Sequence, residues 1–170
     1  MTRRNTRIVI RAPLASDMHE FVASVARSRT LHRPWVAAPD TPAKFRSYSA
    51  RMIAPAHYAF LVCRRDDDAI AGVVNLTNVV RGAFRSGYLG FYAFAGHERR
   101  GYMREGLDAV VRHAFRTLNL HRLEANVQPA NTASLALVVS CGFHREGYSP
   151  RYLKIGGRWK DHERWAIVAP

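Results

Sequence analysis

Carboxylates are scarce in this chain. Thirteen Asp and Glu stand against 26 Lys and Arg among 170 residues, for a formal net charge of +13. Such a field draws anions, including nucleotide cofactors and nucleic-acid backbones, and repels polycations at long range; solubility alone is the other reading of the excess. Cysteine is rarer still, with Cys63 and Cys141 far apart among apolar or small neighbours. Two such thiols supply neither a disulfide framework nor zinc-ligand spacing, and they suit a reducing compartment. The eight histidines show no His-x-x-x-His or comparable pattern, so no metal is implied. Apolar runs are short. None approaches the ~20 residues of a membrane-spanning helix, and Ile8-Val9-Ile10 behind the basic segment Met1–Arg7 is too brief for a signal peptide. The expected setting is the cytoplasm, away from membranes. No repeat, low-complexity tract or linker interrupts the chain, and 48% hydrophobic content suffices for a single domain over residues 1–170.

Strand and helix signals alternate along the chain. Residues 7–12 alternate as a strand would, and Ser16-Asp17 can cap a helix whose inner face is Met18, Phe21, Val22 and Val25. Prolines break the pattern between Pro34 and Pro42, and a second helix is predicted over 42–53. Two strands, 58–63 and 70–78, flank the polar turn Arg64-Arg65-Asp66-Asp67-Asp68, and an apolar strand follows over 88–94. Leu107, Val110, Val111, Ala114, Phe115 and Leu118 then recur at helical spacing, with Asp108 and Arg112 able to pair on the outer face. A strand over 122–127 sets Leu123, Ala125 and Val127 against Arg122, Glu124 and Asn126. A short helix over 131–140 ends at Cys141-Gly142, and strands 151–155 and 158–168 bracket the turn dipeptide Gly156-Gly157. This is an α/β or α+β pattern.

Between the 88–94 strand and the long helix lies Arg99-Arg100-Gly101-Tyr102-Met103-Arg104-Glu105-Gly106. A helix start presents unpaired N–H groups and partial positive charge, glycine lets the backbone approach a ligand closely, and three arginines add full charge. That combination is a phosphate clamp. The chain contains no Gly-x-x-x-x-Gly-Lys-Ser/Thr string, and Gly101 with Gly106 does not make a Gly-x-Gly-x-x-Gly fingerprint.

The order of this loop, its helix and strand, Asn131-Thr132-Ala133-Ser134, Cys141-Gly142-Phe143 and Glu146-Gly147 resembles the GNAT acetyltransferases across nearly the whole chain. Among them it is most similar to the Rim-type enzymes that acetylate ribosomal-protein N-termini. Asn78-Val79-Val80-Arg81-Gly82 and Tyr88-Leu89-Gly90 resemble the alanine-type, RimJ-like branch in particular. The resemblance implies an α+β, three-layer fold with a mixed central sheet splayed between its fourth and fifth strands. It implies acetyl-CoA as the phosphate compound, held by main-chain N–H groups of Arg99, Arg100, Gly101, Tyr102, Met103 and Arg104. The pantetheine arm would pair with main chain at Tyr92, Ala93 and Phe94, and Asn131 would bond it. Glu98 departs from the Gln or Arg usual at the first position of the family's signature, and either rims the phosphate site or turns outward.

Acetyl transfer to an amine needs a neutral amine, a polarised carbonyl and a proton for the leaving thiolate. By resemblance, Ser134 supplies that proton; it also reads as an ordinary helix-surface serine. Tyr148 is a second candidate donor, or a packing aromatic. Glu124 is the first candidate base, with Asp161, His121 and His162 behind it, and each reads equally as a surface or hydrogen-bonding residue. A strong base is dispensable for one class of acceptor. Deprotonating an α-amine of pKa about 8 near pH 7 costs about 1.4 kcal/mol, against roughly 4.6 kcal/mol for a lysine. Trp35, Arg81, Phe84 and Trp159 are candidates to line the acceptor side, with Arg81 or Arg85 guiding a peptide.

The expected activity is acetylation of a protein or peptide N-terminus, a ribosomal protein first, by a monomer or homodimer whose basic surface can meet a ribosome or RNA. A small-amine or antibiotic acetyltransferase, and an RNA-binding ribosome-assembly factor on the same fold, are the competing readings.

Overall fold

The structure is a computed structural model, and it describes residues 6–170; Met1–Asn5, with the first part of the basic leader, lie outside the described residues. Seven strands form one sheet: β1 (Ile8–Arg11), β2 (Tyr58–Arg64), β3 (Ile70–Val80), β4 (Ser86–Ala93), β5 (Arg122–Val127), β6 (His144–Ile155) and β7 (Arg158–Val168). Their order is β1-β2-β3-β4-β5-β7-β6. All neighbours are antiparallel except β4 and β5. That parallel pair needs a crossover, supplied by α4 (Tyr102–Arg116). The remaining helices are α1 (Met18–Arg27), α2 (Arg29–His32), α3 (Pro42–Arg51) and α5 (Thr132–Ser140).

The sheet carries a core on each face. On one, α4 lays Leu107, Val110, Val111 and Ala114 against Val62, Val74, Leu89, Leu123 and Ala125. Fully burying each Val or Leu stabilises by about 1.5–3 kcal/mol. Gly106 has no room for a side chain, because a Cβ there would come within 2.5 Å of Val62. On the other face Phe21, Val25, Phe45 and Tyr48 of α1 and α3 pack on Leu61, Val73, Tyr92 and Phe94. Alternation along β4 therefore divides Leu89 and Phe91 from Tyr92 and Phe94.

β4 and β5 are hydrogen-bonded only from Ser86↔Arg122 to Leu89↔Ala125. β4 continues to Ala93 and β5 to Val127 without pairing to each other, so the sheet opens at their C-terminal ends while staying closed at their starts. This is the splay the family resemblance implies.

Several local readings are corrected. β6 begins at His144, not Arg151; it is an exposed edge strand with register shifts between Arg145 and Gly147 and between Ser149 and Leu153, which erase the two-residue period. Asp17 occupies the N-cap position of α1, but its side chain makes no cap hydrogen bond there. Its carboxylate accepts from Leu14 N–H at 2.6 Å and from both terminal nitrogens of Arg11 at 2.7 Å. Among the described residues Asp108 and Arg112 form no ion pair.

Candidate active site

The loop entering α4 owes its shape to two left-handed residues, Arg99 at φ 60° and Gly101 at φ 83°. Gly101 is the N-cap of α4, and Glu105 N–H closes the first helical bond on its carbonyl at 3.1 Å. The N–H groups of Tyr102, Met103 and Arg104 therefore precede any intrahelical acceptor. Arg99, Arg100 and Arg104 are exposed, and none has a carboxylate partner among the described residues. Glu98 turns outward. Its carboxyl is held below its ordinary pKa by its own N–H first, and by those of Gly96 and His97. Met103 packs over Gly72, where no side chain would fit beside it.

A residue missed in the sequence braces this loop. Arg7, just before β1, donates from Nη2 to the Arg100 carbonyl at 2.9 Å and from Nε to Glu105 Oε1 at 2.7 Å, while its N–H reaches Glu105 Oε2 at 2.9 Å. Its guanidinium also lies 5.0 Å from the centre of the Tyr102 ring. Only its charged-apolar alternation was visible beforehand, and that signals a strand rather than a brace.

At the splay, Phe94 N–H donates to Ala71 O at 2.9 Å, across an unbroken β3–β4 register from Gly72↔Ala93 to Thr77↔Tyr88. By antiparallel alternation, Phe94 and Tyr92 turn their main-chain groups to β3, whereas Phe91 and Ala93 turn theirs to the gap. Of the three residues expected to meet the arm through main chain, Ala93 thus faces the gap together with Phe91, while Tyr92 and Phe94 face β3. His32, also unforeseen, brings Nε2 to within 2.8 Å of Ala93 O and sets its ring edge-on to Tyr92 at 5.1 Å. Burial pushes its pKa down, so the neutral ring donates Nε2–H to that carbonyl.

Beyond β5, Asn131 caps α5: its Oδ1 accepts Ser134 N–H at 3.1 Å. That leaves the amide nitrogen of Asn131 free to donate. The half-buried Ser134 hydroxyl makes no hydrogen bond among the described residues. Tyr148 donates its phenol to Asp161 Oδ2 at 2.5 Å, which raises its pKa, and Asp161 Oδ1 accepts from Arg151 N–H at 2.8 Å. Glu124 lies opposite Tyr88 in the paired part of β4–β5, and its Oε1 accepts from Arg122 Nε at 2.9 Å. His121 sits at the closed end, where its N–H bonds Arg85 O at 2.6 Å. His162 is buried and neutral: burial lowers its pKa, and Nδ1 lies 2.9 Å from Lys160 O.

Of the candidate acceptor residues, Trp35 and Trp159 come together with Gln128, Tyr148 and Asp161 around a cavity of about 460 Å³. Arg81, Phe84 and Arg85 do not join them. They precede β4, at the closed end of the parallel pair, and Arg81 is occupied by the Leu118 carbonyl and, at 3.3 Å, the Tyr58 hydroxyl.

An acetyltransferase (GNAT) domain model matches residues 7–144. The chain belongs to the GNAT acetyltransferases. It is 35% identical, over 96% of its length and 89% of the other protein, to the [ribosomal protein uS5]-alanine N-acetyltransferase of Escherichia coli strain K12. Its fold superposes on Mycobacterium smegmatis RimJ in complex with CoA-disulfide with TM-score 0.88, at 26% identity over 95% of this chain and 82% of that one. A spermidine N-acetyltransferase from Vibrio cholerae, in complex with CoA and spermine, shares the fold at TM-score 0.81 and 23% identity, with 96% of each chain covered. The protein is thus an acyltransferase that uses acetyl-CoA. The open amides and unpaired arginines of the α4 loop fit a pyrophosphate, and the gap beside Phe91 and Ala93 fits an extended amide-bearing arm. Among the described residues no cluster of three or more His, Cys, Asp or Glu is placed to hold a metal ion, and no helix is long and apolar enough to cross a membrane.

Proposed function

We propose that this GNAT enzyme acetylates the N-terminal α-amine of a protein, with a ribosomal protein as the foremost target. The observation that carries this reading is the similarity to a uS5-alanine N-acetyltransferase along 96% of the chain. The chemistry of the site agrees with it. Both carboxylates among the candidate bases are engaged, Glu124 by Arg122 and Asp161 by Tyr148 and the Arg151 N–H. An acceptor whose amine needs little help to lose its proton suits such a site better than a lysine or a polyamine.

Acetyl-CoA supplies the activated acyl group. In this reading the N–H groups of Arg99 to Arg104 hold its pyrophosphate, and the main chain of Phe91 and Ala93 aligns the arm together with Asn131. The amine attacks the thioester carbonyl, the C–N bond forms, the C–S bond breaks, and the Ser134 hydroxyl gives the thiolate its proton. Tyr148 is the weaker donor, since its proton already points at Asp161. The proton shed by the new amide nitrogen goes to solvent, which in turn restores the Ser134 hydroxyl; His162, buried and with its pKa pushed down, is a poor acceptor for it.

Thiol release measured on peptides starting with Ala or Ser, on peptides with a blocked N-terminus and free lysine, and on spermidine tests the proposal. Turnover confined to free N-termini is expected. Turnover of spermidine or of blocked lysine peptides alone would reject it, and tight, strongly salt-dependent RNA binding without thiol release would favour an assembly factor instead.

A further inference from the structure

A second cavity, of about 440 Å³, lies between α2, the segment after it, the start of α3 and the β6–β7 turn. It shares Lys160 with the cavity that holds Tyr148 and Asp161, and Trp35 and Trp159 of that cavity adjoin Pro34 and Arg158 of this one. The two cavities thus adjoin at Lys160, and an extended acceptor seated in the first would run on into this trough. Five cationic side chains line the distal part, Arg29, Arg33, Lys44, Arg158 and Lys160, against one carboxylate, Asp40. Asp40 is already engaged, its Oδ1 accepting from Lys44 Nζ at 2.6 Å. Among the described residues the other four cations have no carboxylate at ion-pair distance. Arg29, Arg33 and Arg158 are exposed, whereas Lys160, common to both cavities, is half-buried.

Unpaired like charges around a concavity are unfavourable when it is empty and are relieved by an anionic occupant, which they also steer inward. From this we infer that the acceptor of this enzyme is an acidic peptide: its N-terminal amine enters beside Tyr148 and Asp161, and carboxylates in the residues that follow lie against Arg29, Arg33, Arg158 and Lys160. The inference rests on the N-terminal reading above and names the class of sequence that reading leaves open. An extended chain advances about 3.3–3.6 Å per residue, so the third to sixth acceptor residues are the ones to vary. The same cations repel a polyamine from the distal part of the trough.

The test uses the intact enzyme and three peptides that share the first two residues and carry Glu, Gln or Lys at positions three to six. At low salt, kcat/KM is expected to rank Glu above Gln above Lys, with at least a fivefold step between Glu and Gln that shrinks at 0.5 M salt. In the double variant Arg33→Glu, Arg158→Glu, which leaves Arg29 and Lys160 balanced by two new carboxylates, the Glu preference should be lost and the three peptides react at similar rates, with circular dichroism and CoA affinity checking that the variant is folded. Equal rates of the unaltered enzyme on the three peptides, its preference for Lys, or an unchanged Glu preference in the double variant would overturn the inference and leave N-terminal acetylation standing. Absence of turnover on every peptide, with spermidine acetylated, would overturn both.

Discussion

Replacing Gly101 with alanine separates the two ways the α4 loop can respond to strain. Gly101 sits at φ 83°, and a Cβ there would lie 3.0 Å from Arg7 Nη2, the atom that bonds the Arg100 carbonyl. Holding an alanine in the left-handed region costs roughly 1–2 kcal/mol. The contact with Arg7 is the far end of a flexible side chain and adds less. That free energy has two destinations. If the loop keeps its shape without ligand, the whole cost falls on stability, and at roughly 2–4 °C per kcal/mol for a chain of this size the Tm drops by about 2–8 °C with CoA affinity unchanged. If the loop relaxes when empty and is restored by the pyrophosphate, Tm barely moves, and Kd for CoA rises by a factor of about 5–30. The Arg7–Glu105 brace ties both sides of Gly101 and favours the first outcome in part, so a mixed response is expected, its two parts summing to 1–2 kcal/mol. Calorimetric titration with CoA and a thermal melt of the same sample measure both. Gly101→Asn supplies the control, since asparagine tolerates this conformation and should recover much of the loss. A Gly101→Ala protein with wild-type Tm and wild-type Kd would refute the left-handed strain on which this reasoning rests.

Three further outcomes follow from contacts described above. Ser134→Ala should lower kcat by about 10–100-fold, as loss of a general acid does, while CoA affinity stays within about threefold; an unchanged kcat would remove Ser134 from the mechanism. Asp17→Asn strips the charge from a carboxylate that accepts three hydrogen bonds from Arg11 and Leu14 N–H. With Arg11 a third exposed, the expected loss is about 2–3 kcal/mol in urea unfolding, below the 3–5 kcal/mol of a fully buried pair. His32 and His162 are buried with pKa values pushed below 6.5 by desolvation. The unfolded chain then binds protons the folded chain refuses, so stability is fully present above about pH 6.5 and is lost as pH falls toward the folded pKa values, by at most about 1.4 kcal/mol per pH unit for each ring. A melting temperature flat between pH 7 and pH 5 would contradict their buried, neutral state.

The sequence makes some of this molecule plain and hides the rest for definable reasons. α4 and β5 are legible because their periods are unbroken and one face of each is buried; the predicted inner residues of α4 run against Val62, Leu89 and Leu123. The clamp is legible because loop, glycine and helix start are contiguous. β6 is not, because two bulges break its alternation and its exposed edge carries no apolar face. Asp17 looks like a cap because Ser-Asp before an apolar run is the usual signal, but Arg11 lies across from it only once β1 has paired with β2. Arg81 and Phe84 resemble acceptor residues until the parallel register of β4 with β5 fixes which end of the pair is closed. Face is a local property of a strand; which end of the sheet opens is not.

That distinction also orders the two halves of the site. Everything proposed to touch acetyl-CoA comes from one continuous stretch, from β4 through the α4 loop and β5 to Ser134. The acceptor trough is assembled instead from α2 and the segment after it, the start of α3 and the β6–β7 turn, segments more than a hundred residues apart in the chain. Substitutions at Arg33 or Arg158 alter exposed charge on those outer segments and touch no contact of the clamp, so acceptor choice is free to change while cofactor binding is kept. A fold shared between a RimJ and a spermidine N-acetyltransferase is what such a division permits. On the proposed reading, four cations without a carboxylate partner among the described residues flank the acceptor, and a tri- or tetracationic amine would have to approach against them. If the division is real, reversing Arg33 and Arg158 should move acceptor KM and leave acetyl-CoA KM where it was; a parallel rise in both would mean that the two halves are one.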